Sequence, residues 1–258
     1  MPVVTGVERF RDAMAAHDDE YVLIGGGACS LLFDDAGMPF RATKDLDIVI
    51  LTETDGGSAF ARDFWAFIQS GGYTCWKRAE DRCVYYRFNL PANSADAVRL
   101  PQQIELFSRH PNFALENEKS EVAPLPFNED ISSLSAIILD DGYYDFIRSH
   151  VEKINGVSLL DALHIIPLKM RAHVDLTNKH NMGRHVNDKD LSKHRSDVSK
   201  LSRLLPTEAS LVLTGRMRAD AEAFFNDFEQ YIDRQTNRKQ QRALEEDLAV
   251  LKRTYLGA

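Results

Sequence analysis

Cysteine is scarce in this chain. There are three in 258 residues, Cys29, Cys75 and Cys83, an odd number without the close pairing of a zinc knuckle or a disulfide framework. They read as buried free thiols of a reducing compartment. No apolar run approaches the roughly 18 residues needed to cross a bilayer, and MPVVTGVERF has no basic segment followed by an apolar one, so no secretory signal is expected. Internal repeats and low-complexity tracts are missing too. These absences predict a cytoplasmic protein that makes no use of a membrane. What remains is ordinary for a folded chain, 44% hydrophobic and 27% charged residues, at a length that suggests two domains.

Net charge is −8, which excludes a generic nucleic-acid coat, but the charge is uneven. Residues 1–130 hold 12 Lys and Arg against 21 Asp and Glu, whereas residues 131–258 hold 19 against 18. Within 165–203, nine basic residues face four acids, and four histidines join them. Such a stretch reads either as a phosphate-binding surface or as a solvated helix face.

Periodicity predicts a helix over residues 7–17, with Val7, Phe10 and Met14 on one side, then a short apolar strand from Tyr21 to Ile24. Three glycines follow, Gly25, Gly26 and Gly27, before ACSLLF opens a second helix. An acid-bearing strand covers RATKDLDIVI, and a helix capped by Ser58 carries Phe60, Phe64, Phe67 and Ile68 on one face. Strands are predicted at Tyr73–Lys77, Cys83–Leu90 and Gln102–Arg109, the first two joined by a turn at Ala79–Arg82. Prolines and acids over 111–133 mark an extended link. GYYDFIRSHVEKI is ambiguous between helix and strand. VSLLDALHIIPLKMRAHVDL has helical period with Ser158 as a plausible cap, Thr207 is placed to cap a helix through AFFNDFEQYID, and 240–255 form a last amphipathic segment. The fold class expected is α/β (α+β): a mixed sheet flanked by helices over residues 1–125, then a mainly helical domain over 126–258.

The chemistry concentrates at Asp45 and Asp47. Alternating with Leu46 in a strand, both carboxylates project from one face, about 7 Å apart, close enough to share divalent ions held about 3.5–4 Å from each other. An exposed strand-edge pair is the bland alternative, and Leu46, Ile48 and Ile50 argue against it by marking the opposite face as buried. The glycines permit close backbone approach by a phosphate, and the helix start adds partial positive charge. Without the acids, a tight strand-to-helix turn would explain them equally well. Glu105, between Ile104 and Leu106, is the choice for a third carboxylate, with Asp96 in reserve and a rim glutamate without a role as the alternative.

Together, IGGGACS and RATKDLDIVI resemble the first two signature elements of the nucleotidyltransferase superfamily, the polymerase-beta-like fold, and are most similar to its abortive-infection toxin branch. The resemblance covers residues 20–52 and extends weakly to 159–203. It implies transfer of a nucleoside monophosphate from a nucleoside triphosphate, with Asp45, Asp47 and Glu105 holding Mg²⁺ or Mn²⁺. It also implies that Arg41, Thr43 and Lys44 beside the acids position the motif or touch the nucleotide, neutralisation of the acids being the other reading of the basic residues, and that Lys169 in PLKMRAHVDL contacts the triphosphate across a cleft between the domains. NDKDLSKHRSDVSKL is similar to the branch's Lys-Asp element, represented by Lys189 and Asp190, with His194 and Asp197 on later turns. The partners it implies are a tRNA, another RNA or a protein as acceptor, and a separately encoded antitoxin.

Two rival chemistries are weaker. Five histidines from His164 to His194 suggest a metal-dependent phosphohydrolase, but they lack His-Asp doublets and the i, i+4 pairing of a histidine cage. No nucleophile elbow favours a serine or cysteine hydrolase. A catalytically degenerate nucleotide-binding or interaction module remains the second function class.

Overall fold

A computed structural model of the chain describes residues 4–51, 59–77, 83–107 and 140–257. These form two compact units: residues up to 107 together with 148–160, and residues 140–147 together with 161–257. The boundary expected at 125 and 126, the link over 111–133, the turn at Ala79–Arg82 and the cap Ser58 lie outside the described residues. The fold class is the mixed α/β arrangement expected.

The first unit is built on strands β1 (Tyr21–Ile24), β2 (Asp45–Ile50), β3 (Thr74–Lys77), β4 (Cys83–Asn89), β5 (Gln103–Phe107), β6 (Val151–Ile154) and β7 (Val157–Leu160). They form one mixed sheet in the order β3-β4-β5-β2-β1-β7-β6. Strand β2 runs antiparallel to β1 and parallel to β5. Helices α1 (Val7–Ala13), α2 (Gly25–Asp35) and α3 (Ala59–Ser70) belong to this unit. Its core is aromatic: Phe10 meets Tyr21 and Phe67 edge-on at 5.3 and 5.6 Å, and Phe64 meets Phe88 at 5.6 Å. Phe88 is paired with Ile104, and Ile104 with Leu46. One sheet face, carrying Leu46, Ile48 and Ile50, is therefore covered by α3, and the residues alternating with them point the other way.

Two expectations for residues 151–161 are corrected. Val157–Leu160 is strand β7, and Ser158 caps nothing; β6 and β7 pair antiparallel around Asn155-Gly156. Both turn residues have positive φ, 52° and 76°, as a two-residue hairpin turn of matching twist requires. That hairpin joins the sheet of the first unit, β7 lying parallel to β1.

Helix α4 (Asp141–Ser149) precedes the hairpin, and the second unit continues with α5 (Ala162–Asn181), α6 (Asp188–Leu201), α7 (Gly215–Asp233) and α8 (Arg238–Leu256). Asp161 is the true cap of α5, accepting from the His164 N–H at 2.8 Å. Pro167 sits inside α5. It has no N–H to offer the Leu163 carbonyl one turn back, and the buried Tyr255 hydroxyl of α8 donates to that carbonyl at 2.7 Å instead. The orphan created by the proline is thus satisfied from another helix. The expectation that Thr207 caps a helix is also corrected, because α7 starts after Thr214. Residues ahead of it run extended, the Leu211 and Leu213 N–H groups donating to the Thr254 and Tyr255 carbonyls at 2.8 and 3.0 Å. Those are carbonyls of the last turn of α8, which have no partner within the helix. Among the described residues no helix is long and apolar enough to cross a membrane.

Candidate active site

Register assembles the acids. In the parallel pairing of β2 with β5, Asp45 lies beside Gln103 and Asp47 beside Glu105. Paired residues share a face, so Asp45, Asp47, Gln103 and Glu105 project together, opposite the face covered by α3. Glu105 is paired on its other side with Arg87 of β4, and a row Arg87, Glu105, Asp47 crosses three adjacent strands. The reserve candidate, Asp96, is exposed in a turn, its carbonyl accepting from the Arg99 and Leu100 N–H groups.

Glu105 is buried at 9% exposure. Its Oε1 accepts from the Arg87 Nε at 2.6 Å and from the Gln103 Nε2 at 2.8 Å. Burial raises the Glu105 carboxyl above the ordinary glutamate range, Asp47 adds to the rise by like-charge repulsion, Arg87 opposes it, and Asp45 adds a further push. The two aspartates and the glutamate therefore feel one another, and the arginine works against their repulsion.

The glycines explain how β2 comes close to α2. Helix α2 begins at Gly25 itself rather than after the glycines. Gly25 has φ +69°, and a Cβ there would stand 1.8 Å from the Asp47 Oδ2; only glycine meets both conditions. A Cβ on Gly26 would stand 3.1 Å from an Arg41 guanidinium nitrogen and 3.2 Å from the Thr43 hydroxyl. The hollow of bare backbone expected above the glycines is thus lined by side chains: the Asp47 carboxylate over Gly25 and the Arg41 guanidinium over Gly26. Arg41 is steered there through Phe40, over whose ring it lies at 5.3 Å, Phe40 in turn stacking on Phe33 of α2 at 4.7 Å. Lys44 is exposed, and its carbonyl accepts from the Gln102 N–H at 2.7 Å.

Asp45, Asp47 and Glu105 are hard oxygen donors of the kind Mg²⁺ and Mn²⁺ take. Among the described residues no group of three His, Cys, Asp or Glu side chains is arranged to hold a metal ion. A finished cage is not what Mg²⁺ needs, since it commonly uses one or two carboxylates and completes its shell with water and substrate phosphates. The donor set fits an ion delivered with a triphosphate.

The second-half candidates belong to the second unit. Lys169 is buried on α5, its Nζ 3.1 Å from Asp197 Oδ2 of α6, so the ammonium expected at a triphosphate is engaged by a partner in its own unit. Asp190 is exposed in the first turn of α6, where Asn187 provides the cap and a carboxylate complements the helix dipole. Lys189 is exposed beside it. His194 is pushed down to about 3, mainly by burial and then by the Lys169 charge, and its Nδ1 is buried without a hydrogen-bond partner.

The His194 shift has a defined consequence for stability. Its folded value lies below the unfolded value near 6.5, so between pH 6.5 and 3 the unfolded chain binds a proton that the folded chain lacks. Stability is expected to decline across that window as pH falls, by up to about 1.4 kcal/mol per pH unit from this group. Urea unfolding at several pH values checks it: His194→Leu should flatten the slope, and an unchanged slope would assign acid sensitivity to other groups.

Arg87 and Gln103 were not among the residues singled out by sequence. Arg87 had a signal in YYRFNL, a charged residue within an otherwise aromatic and apolar strand, but its partner follows only from the β4–β5 register. Comparisons with protein-family models, curated proteins and solved structures give no match.

Proposed function

We propose that the chain is a metal-dependent nucleotidyltransferase that moves a nucleoside monophosphate from a nucleoside triphosphate to a hydroxyl of an RNA, with tRNA foremost, or of a protein. The supporting observation is the placement of Asp45, Asp47 and Glu105 on one sheet face beside the glycine-built start of α2. In this reading Asp45 and Asp47 hold Mg²⁺ or Mn²⁺, with Glu105 as a further ligand or as the base that takes the acceptor's hydroxyl proton. Held by these carboxylates, such an ion would supply positive charge against the negative charge that develops at the reacting phosphorus. The freed hydroxyl oxygen forms its bond to the α-phosphorus as the bond to pyrophosphate breaks. Arg41 and Thr43 over Gly26, with exposed Lys44 nearby, supply positive charge and hydrogen-bond donors for the phosphates. The resemblance noted above favours the toxin of a toxin–antitoxin pair acting in the cytoplasm.

A second reading, a nucleotide-binding module without turnover, draws support from the Arg41 guanidinium over Gly26 and the commitment of Lys169 to Asp197. Incubation with each α-labelled NTP, Mg²⁺ and total tRNA or cell protein separates the two. Label transferred to a macromolecule, and lost on chelation of the metal, is the expected result. Tight NTP binding with no transfer to any acceptor would favour the module.

A further inference from the structure

The Arg87 guanidinium and an incoming divalent cation need the same atom. Glu105 Oε1 is held at 2.6 Å by the Arg87 Nε and at 2.8 Å by the Gln103 Nε2. Arg87 lies on β4, on the side of β5 away from β2 and its aspartates. The carboxylate is thereby tied towards β4, consistent with three acids sharing a face among described residues that contain no group of three ready for a metal ion. Glu105 is largely buried, its side chain 12% exposed, whereas the Arg87 side chain is 41% exposed and has solvent to move into. A divalent ion outcompetes a half-exposed guanidinium for a carboxylate, because an ion pair of that exposure is weak.

We propose that Arg87 is a positioning residue that holds Glu105 in an open arrangement and yields its carboxylate to a divalent cation arriving with the nucleotide. This rests on the nucleotidyltransferase reading of the same site. The arrangement gives the cation-free protein a counter-charge among three carboxylates. No residue outside β2, β4 and β5 is required for the exchange.

The test is Mn²⁺ affinity, read by electron paramagnetic resonance on the full chain with tripolyphosphate present, which supplies phosphate chemistry without a choice of base. Removing a competing ion pair worth up to about 1 kcal/mol should tighten Mn²⁺ binding by about fivefold in Arg87→Gln, with Arg87→Lys between it and the wild type. In a Glu105→Gln background the same Arg87→Gln change should have no effect on affinity, because the contested carboxylate is gone. A purely structural cross-strand pair would lower the melting temperature and leave Mn²⁺ affinity where it was. Unchanged or weaker Mn²⁺ binding in both Arg87 variants, or an effect that persists without Glu105, overturns the role of Arg87 alone. Wild-type protein that binds no Mn²⁺ overturns this role and the metal-dependent reading together.

Discussion

Asp47→Asn is expected to reduce nucleotidyl transfer by at least about 10²–10³-fold, the loss typical when one preorganised electrostatic group is removed from a reacting centre. The substitution keeps the shape of the side chain that crowds Gly25, whose Cβ position lies 1.8 Å from the Asp47 Oδ2, so the approach of β2 to α2 survives. It also removes a negative charge that pushes the Glu105 carboxyl upward. Folding stability should therefore hold or rise, since like-charge repulsion is relieved without an apolar group being lost. That combination, activity gone and stability kept, distinguishes a functional acid from a structural one. Label transfer and a thermal melt on the same preparation decide it. Transfer at the wild-type rate would remove Asp47 from the chemistry; a melting midpoint lowered by several degrees would mark its carboxylate as part of the fold.

How much of this was legible in the sequence depends on the range of the interaction concerned. Period-two alternation picks out Asp45 and Asp47 against Leu46 and Ile48, and Glu105 against Ile104 and Leu106, because pleat direction is a local property of a strand. The meeting of Asp47 with Glu105 needs the register of two strands separated by more than fifty residues, which no local pattern encodes; alternation makes the meeting possible and pairing brings it about. The β6–β7 hairpin was legible in principle, through Asn155-Gly156, but the continuous apolar run VSLL preceding a genuine helix masks the signal, since a short apolar run suits either element. Arg41 illustrates a different limit. Its place over Gly26 depends on the Phe33–Phe40 stack, a side-chain packing arrangement between a helix and a loop that spacing does not reveal. Tyr255 reaching the carbonyl freed by Pro167 is of the same kind: the need for a donor is visible in the sequence, its source is not.

Lys169 shows what happens when a residue read as functional turns out to have a structural partner, and its removal is the second large effect expected. Its ammonium and the Asp197 carboxylate are 3.1 Å apart with side chains only 5% and 1% exposed. Breaking such a pair takes the close counter-charge from a buried ammonium, and Asp197→Ala is expected to destabilise the helical unit by about 3–5 kcal/mol. Replacing both partners together, Lys169→Met with Asp197→Leu, removes the charge and its counter-charge at once and keeps the packing volume. Stability should then return to the wild-type level or exceed it by about 1–4 kcal/mol. Chemical denaturation of the single and double variants tests this directly, and a double variant as unstable as Asp197→Ala would refute the ion pair as the reason. The restored protein also answers the functional question that the single substitutions obscure by unfolding. If the ammonium serves only Asp197, the double variant keeps the wild-type KM for the triphosphate. A raised KM in a protein that melts normally would return Lys169 to the nucleotide.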